Sequence, residues 1–467
     1  MSLSTGLTIA ASGLRTTQAW ADSVSRNIAN ASTAGYSRKD AQITTLSGGV
    51  TVSAYTRSVS VSLDAMTRQG TAEIARQDTI ASVLAGYSAQ LGQPDDEVSL
   101  VSYLTDFRTS LETLGSDPSS AVAQRSALDS ARALASSLND NAAAVAQVST
   151  QVESEIGAQV DGMNDLLTQI GELNVQLNRT TAGTLENGDL QDEMGRLLDE
   201  MSSYVDFRVS QTQTGITTVY APNGMTLVDG QTTQQLSYDG ERLTVGGVDV
   251  TPGDTTARGF SEGSLSGLFQ LKTDILPTFT AQLDAMAATL ISGFQAADAS
   301  LAAGEAGLFT DAGLAWDGTS IEGLAASIEV NAAADTTQGG SVSLIRDGFG
   351  TSAITEEGDA TQINAFIGVL ESNQSFDAST GLGSNMTLGD YVAQMVTAQQ
   401  TTVSSAEDRS AALAVSAETV SATRENLRGV NIDDEMQKLL LIQQNYNANS
   451  KVLTTLVDML DTLLNAV

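Results

Sequence analysis

The chain has 467 residues, no Cys, no His and a formal net charge of −34. Disulfides, thiolate and imidazole catalysis, Ser-His-Asp triads and Cys/His zinc sites are thereby excluded, and so much negative charge repels nucleic acid and anionic membrane. Hydrophobic residues make up 41% but aromatics only 4%, and five Pro leave long stretches free of helix breakers, which suits long, thin helical packing better than a thick globular core.

The start, Met1 to Ala10, has no basic region and no continuous apolar run, so it does not read as a classical secretory signal. No run of about 18 apolar residues predicts a membrane span. Leu3, Leu7, Ala10, Leu14, Thr17, Ala21, Val24 and Ile28 recur in steps of four and three, a heptad seam on a first helix. Asn27-Ile28-Ala29-Asn30 and Thr33-Ala34-Gly35-Tyr36-Ser37-Arg38 follow; a helix end with a Gly stop explains Gly35 but not the rest. Gly115 reads as ending a helix, Asp117 as capping the next, and Pro118 as its first residue. Leu138, Ala142, Val145, Ser149, Val152, Ile156, Gln159, Met163, Leu166, Ile170, Leu173 and Leu177 then keep a heptad. About forty residues of such helix span roughly 60 Å. From about 204 to 262 the period changes: Ile216 to Tyr220 is β-branched and aromatic, and Asn223-Gly224 and Asp239-Gly240 are hairpin turns. Helix returns near Leu265 and runs to about Leu301, a Gly- and Asp-rich mixed segment covers about 304–386, and a long helix fills about 388–427. Met436, Leu439, Gln443, Tyr446, Ser450, Leu453, Val457, Leu460, Leu464 and Val467 step by three and four along a last helix.

These elements predict a mainly α fold with an inserted small antiparallel β domain, arranged as a nest. Residues 1–45 and 428–467 form a terminal coiled coil, innermost. Residues 46–203 and 263–427 form a long-helix bundle that carries the mixed segment, and 204–262 form an outer β module. Charge agrees: through residue 80, seven cations face five acids, so the acid excess lies elsewhere. A near-neutral terminal region suits a crowded assembly, and an acidic middle suits solvent.

The acidic clusters Asp95-Asp96-Glu97 and Asp433-Asp434-Glu435 lack EF-hand spacing. Each follows a helix-start residue, Pro94 or Asn431, and reads as first-turn carboxylates favoured by the helix dipole. No phosphate-binding glycine loop occurs, and Gly48-Gly49 and Gly246-Gly247 sit in turn contexts. No catalytic, cofactor-binding or metal-ligating residue is assigned.

Ser12-Gly13-Leu14, Gln18, Asn27-Ile28-Ala29-Asn30 and Thr33-Ala34-Gly35-Tyr36 resemble the N-terminal signature of the flagellar rod, hook and hook-associated protein family. Tyr36-Ser37-Arg38 and Gly429-Val430-Asn431-Ile432-Asp433-Asp434-Glu435-Met436 are similar to its hook-associated members, and Gln444, Tyr446, Ala448 and Met459-Leu460 to the shared C-terminus. Asp117-Pro118 with Arg125, Gly267-Leu268, Leu276-Pro277 and Leu283-Asp284 extend the likeness inward. It is weakest in the β module and in about 304–386. Trp20 and Ala21 invert the family's usual small and large residues, and Lys39 replaces a usual Gln.

The resemblance implies paired terminal helices lining a central channel, and a structural adaptor between hook and filament. Its implied partners are further copies of itself, the hook protein, a second hook-associated protein and an export chaperone, with neither nucleic acid nor membrane among them. It implies an extracellular place in the flagellum, reached through the flagellar export apparatus without signal cleavage. The assembly-interface residues it points to are Leu3, Leu7, Leu14, Val24, Asn27, Ile28, Asn30, Gly35 and Tyr36 with Met436, Leu439, Tyr446, Leu453, Val457, Leu460 and Leu464. Another axial protein (hook, distal rod or second hook-associated protein) is the alternative. A carboxylate-based enzyme would need paired acids in a cleft, and a plain coiled-coil scaffold would not need the Asn-Ile-Ala-Asn run.

Overall fold

The computed structural model describes residues 3–46, 48–91, 99–253, 258–350 and 356–465; the expected acidic cluster at 95–97, with Pro94, and the seam residue at 467 lie outside them. In chain order the elements are α1 (Leu3–Ala29), β1 (Lys39–Leu46), β2 (Gly49–Arg57), α2 (Val61–Leu91), α3 (Leu100–Ser116), α4 (Ala121–Arg179) and α5 (Leu185–Tyr204). Seven short strands follow: β3 (Arg208–Gln211), β4 (Thr217–Tyr220), β5 (Thr226–Asp229), β6 (Thr232–Thr233), β7 (Leu236–Tyr238), β8 (Leu243–Val245) and β9 (Val248–Asp249). Then come α6 (Ser264–Gln270), a π-helical turn Leu271–Ile275, α7 (Leu276–Ala297), β10 (Phe309–Asp311), α8 (Leu324–Ser327), β11 (Ile328–Val330), α9 (Leu344–Asp347), α10 (Thr361–Glu371), β12 (Gln374–Ser375), β13 (Asn385–Met386), α11 (Leu388–Arg428) and α12 (Ile432–Asn465). Helices with small antiparallel sheets are the fold class the sequence predicts.

The chain divides into two compact units. One comprises Met1–Arg76, Gly157–Ser266 and Ser410–Val467, the other Gln77–Ile156 and Gly267–Arg409. All four unit boundaries fall inside helices, because α2, α4, α6 and α11 each contribute to both units.

In the first unit, β1 and β2 form an antiparallel hairpin with a bulge after Gln42. The sequence reading overlooked it. It lies along α1: Thr16 Oγ1 donates to Val50 O at 2.9 Å and Tyr55 OH to Ala19 O at 3.1 Å. The β module consists of two sheets, β3-β4-β5-β6 and β7-β8-β9, with Asn223-Gly224 and Asp239-Gly240 at hairpin turns. Its two ends adjoin. Asp206 accepts Ser261 N–H at 2.8 Å, and a Cβ on Gly263, whose φ is +97°, would lie 2.3 Å from Tyr204 O, so only glycine fits there. The module is also seated on α4. Asn174 Nδ2 donates to Thr217 O and Gly230 O, both at 2.8 Å, and its Oδ1 accepts Thr217 N–H at 2.8 Å. Asn164 pairs with both backbone groups of Leu236.

In the second unit, Asp117 does not cap α4. It is the C-cap of α3, its N–H bonding Leu114 O at 3.1 Å, and a turn to Ser120 intervenes. Ser120 takes the cap role through its Oγ, which accepts Ala123 N–H at 3.3 Å. The core is aromatic: Phe294 lies 5.6, 5.1 and 5.0 Å from Phe107, Phe309 and Phe366, edge-on to Phe309. The π turn widens the helix just before Pro277, which lacks an N–H, so the helix runs on.

Candidate assembly site at the chain ends

The terminal helices pair antiparallel through small residues. A Cβ on Gly13 would lie 2.8 Å from Asn449 Oδ1, and one on Gly6 3.4 Å from Leu456 Cδ1. Seven residues forward on α1 thus match seven back on α12, and fourteen more bring Asn27 to Glu435, whose Oε2 accepts from Asn27 Nδ2 at 3.0 Å. Glycine on this face lets the two backbones approach.

Asn27, 1% exposed, uses all four of its hydrogen-bonding positions. Nδ2 donates to Glu435 and to Lys39 O at 3.1 Å, while Oδ1 accepts Lys39 N–H at 3.0 Å and Tyr36 OH at 2.8 Å. The side chain thereby joins α1, the start of β1, the loop before it and α12. Burial first, then the charges of Asp189 and Asp192, push the Tyr36 hydroxyl well above the usual tyrosine range and keep it a donor. Asn30 and Gly35 shape the loop: Asn30 Oδ1 accepts Thr33 Oγ1 at 3.3 Å, and Gly35 has φ +79°.

Charges surround this hub. Lys39 is 1% exposed; its Nζ bonds Asp192 at 2.6 Å and Asp189 at 2.9 Å, and sits 4.0 Å from the Tyr36 ring centroid. Arg57 and Ser37 share Asp192, at 2.7 and 2.5 Å. Glu435 is fully buried, and Lys438 bridges it, at 2.6 Å, to Asp40, at 2.9 Å. Burial pushes the Asp40 carboxyl up, but the hydrogen bond and charge of Lys438 outweigh it and hold Asp40 below the usual range. Nearby, Arg424 and Arg428 bond Asp64 at 2.8 and 2.5 Å, Arg424 also bonds Asp199, and Arg38 N–H takes the Arg428 carbonyl at 2.9 Å.

Of the residues the sequence marked, Asn27 and Tyr36 meet at this hub and Val24 is buried on α1. Leu3, Leu7, Leu14 and Ile28 are half-buried, as are Leu439, Leu453 and Leu460 on α12. Met436, Tyr446, Val457 and Leu464 stay exposed, Leu464 by 67%. Within the chain, α12 packs through Glu435 and Ile442, which are buried, and through half-buried Asn449 and Leu456 beside Leu439, Leu453 and Leu460. Glu435, read as a first-turn carboxylate, is the residue sequence reasoning missed; Asp433 and Asp434 N–H bond Asn431 Oδ1 at the helix start as expected. Glu435 begins a step of seven to Ile442, Asn449 and Leu456, and that phase was its signal. Lys39 and Asp192 gave no such signal, since their pairing spans 153 residues.

Among the described residues no group of three or more acids could hold a metal ion, and no helix is long and apolar enough to cross a membrane. The arrangement offers shape and apolar surface: Leu440, Leu441, Val452, Met459 and Leu463 join the exposed seam residues on one helix.

A family profile described as the flagellar hook-associated protein FlgK helical domain matches residues 90–306, and one described as the flagellar basal body rod FlgEFG protein C-terminal matches residues 426–466. The chain is 31% identical to Flagellar hook-associated protein 1 of Escherichia coli over 288 residues, 57% of this chain and 52% of that protein. It is 30% identical to the protein of that name from Salmonella typhimurium over 308 residues, 62% and 55% of the two. With the one from Bacillus subtilis it shares 24% over 514 aligned positions, 98% and 97%. The chain thus spans about half the length of the first two relatives and nearly all of the third. A solved structure of the flagellar hook junction protein FlgK from Burkholderia pseudomallei is similar with a TM-score of 0.44 and 22% identity, over 53% of this chain and 46% of that one.

Proposed function

We propose that this chain, which belongs to the flagellar hook-associated protein 1 family, is a structural subunit without enzymatic activity that joins the flagellar hook to the filament. The observation that carries this reading is the outer face of α12. Met436, Leu440, Tyr446, Val457 and Leu464 are each at least 41% exposed, although the same helix buries Glu435 and Ile442 against its own chain. A single helix that spends one face within the chain and shows a second apolar face is built to pack against further helices. In this reading residues 1–45 and 428–467 form the innermost layer, copies of the chain cover one another's α12, and the β module at 204–262 lies outermost. The hook protein and a second hook-associated protein adjoin the layer. The chain leaves the cell through the flagellar export apparatus, escorted by a chaperone, and acts outside it. A chain with no Cys suits an unfolded passage because no disulfide has to be broken.

The test is Val457→Asp with Leu464→Asp. Both side chains are exposed in the monomer, so its melting transition should not move. In an assembly each substitution loses about 1.5–3 kcal/mol of apolar burial and adds an unpaired charge costing several more. Cells carrying the variant should export it, make hooks, and shed filament protein into the medium. Filaments that attach normally to an exported variant would remove the basis of the proposal.

A further inference from the structure

Three polar side chains form a line through the interior of the second unit and tie α2, α11 and α7 together. Tyr87 OH on α2 donates to Gln399 Oε1 on α11 at 2.7 Å. Gln399 Nε2 donates to Gln282 Oε1 on α7 at 2.8 Å, and Gln282 Nε2 donates to the Thr380 carbonyl at 2.9 Å. Tyr391 OH meets the Gln282 carbonyl at 3.1 Å. Tyr87, Gln399 and Gln282 are 2, 1 and 3% exposed. Burial pushes the Tyr87 hydroxyl well above the usual tyrosine range, so it stays a donor. Beside the line, Ser88 and Gln400 exchange two bonds, Ser88 Oγ to Gln400 Oε1 at 2.7 Å and Gln400 Nε2 to the Ser88 carbonyl at 3.2 Å.

Such a line adds little net stability, because apolar groups of similar shape in all its positions serve nearly as well. Its value lies in the apolar pattern around it. The buried residues of α2 here are Ile80, Leu84, Tyr87 and Leu91, and those of α11 include Val392, Val396, Gln399, Val403 and Ala406, all in steps of three and four. A displacement of one helical turn puts Val396 or Val403 where Gln399 stands, and Leu84 or Leu91 where Tyr87 stands. The apolar contacts look alike in each arrangement, whereas the hydroxyl and the amides meet in one. From Thr397 to Arg409, moreover, α11 buries only Gln399, Val403 and Ala406, so apolar packing holds this stretch weakly. Any displaced arrangement leaves Tyr87, Gln399 and Gln282 unpaired together in a site shielded from solvent, which is costly.

We propose that the Tyr87–Gln399–Gln282 line is a specificity device, which selects one docking of α11 against α2 and α7 without a net gain in stability. A single buried amide fixes the register of coiled coils in the same way. The proposal does not depend on the junction role, since all the groups lie within the second unit of one chain.

The experiment uses the full chain. It has no Cys, so Ser82→Cys on α2 and Ser405→Cys on α11, both exposed, provide two spin-label sites without interference. Pulsed electron resonance should read one narrow distance between them. Adding Tyr87→Phe, Gln282→Met and Gln399→Met should broaden or split that distance well below the melting temperature, by about 5 Å for a displacement of one turn. Gln399→Met alone strands the Tyr87 hydroxyl and Gln282 Oε1, while the triple variant strands only the Thr380 carbonyl, so the triple should melt above the single. Leu290→Ala, a deletion in the apolar core of α7, should lower the melting temperature and leave the distance narrow. If the triple variant does not fold, Tyr87→Phe, which removes one oxygen, is measured instead and should broaden the distance. A distance as narrow as in the parent chain, equal broadening by Leu290→Ala, or a triple variant melting below the single would overturn the proposal.

Discussion

Asn27 shows why one residue type is required at the junction of the chain ends. Its four bonds need two donors and two acceptors on a flat side chain, which Asp and Leu cannot supply. Asn27→Leu should strand the Lys39 backbone and one oxygen of Glu435, at about 1–3 kcal/mol for each stranded group. Protease should then cut at the start of α12 well below the temperature at which the rest of the chain melts; unchanged resistance would show that the hub is not what holds α12. The Asp40–Lys438 pair sets a pH window for the same contact. Asp40 is held below its ordinary 3.8, so its contribution is present above that value and lost as pH falls through the lowered one. Burial lowers the Lys438 proton affinity, but Glu435 and Asp40 raise it above the ordinary 10.5, so its contribution is full below that pH and fades as pH rises through the raised value. Release of α12, followed by proteolysis, should therefore appear at both extremes and at neither in between, and Lys438→Met should flatten the profile. At this scale the sequence revealed Asn27 and Tyr36 through their motif. It hid Lys39 and Glu435, because a buried charge is recognised by partners that lie 153 and 408 residues away in the chain.

Elements were legible where a long apolar period was plain, and the 31-residue α2 was not read. The 27-, 59-, 41- and 34-residue helices repeat the apolar period many times, so their existence was plain. The strands of about 304–386 have two or three residues each, too few for alternation to show. The β1–β2 hairpin was missed although Val50, Val52, Ala54 and Thr51, Ser53, Tyr55 alternate beside Gly48-Gly49, because polar residues sit on both of its faces. On α12 the inward positions include polar Glu435 and Asn449 while apolar Met436, Tyr446 and Val457 are exposed, so the apolar period alone does not separate the two faces. The β module reads as an insertion and is closed at its neck, yet Asn164 and Asn174 bind it to α4. Asn174→Ala removes one N–H acceptor and two carbonyl donors at a buried site, again about 1–3 kcal/mol per group. Amide exchange in β4 and at Gly230 should accelerate while exchange in α7 does not change. Equal acceleration in α7 would mean that the module is not an independent cooperative piece.

For the whole molecule, net charge opposes what the apolar face of α12 favours. Copies carrying −34 each repel at long range, and salt screens that repulsion over about 10 Å at 0.1 M. Self-association measured by light scattering should strengthen as sodium chloride rises, and Val457→Asp should abolish the trend; association that weakens with salt would point to ion pairs between copies instead. The stepwise match of Gly6 and Gly13 with Leu456 and Asn449 also limits how the gene can change length. Inserting one codon between Gly13 and Asn27 turns every later position of α1 by about 100°, so the Gly face and the Asn27 hub no longer point to the same partner. Seven codons restore the phase only if seven are added opposite, between Glu435 and Asn449. Tolerated insertions should therefore crowd into the loops of the middle, while the two ends accept length changes only in matched sevens, some 400 residues apart in one reading frame.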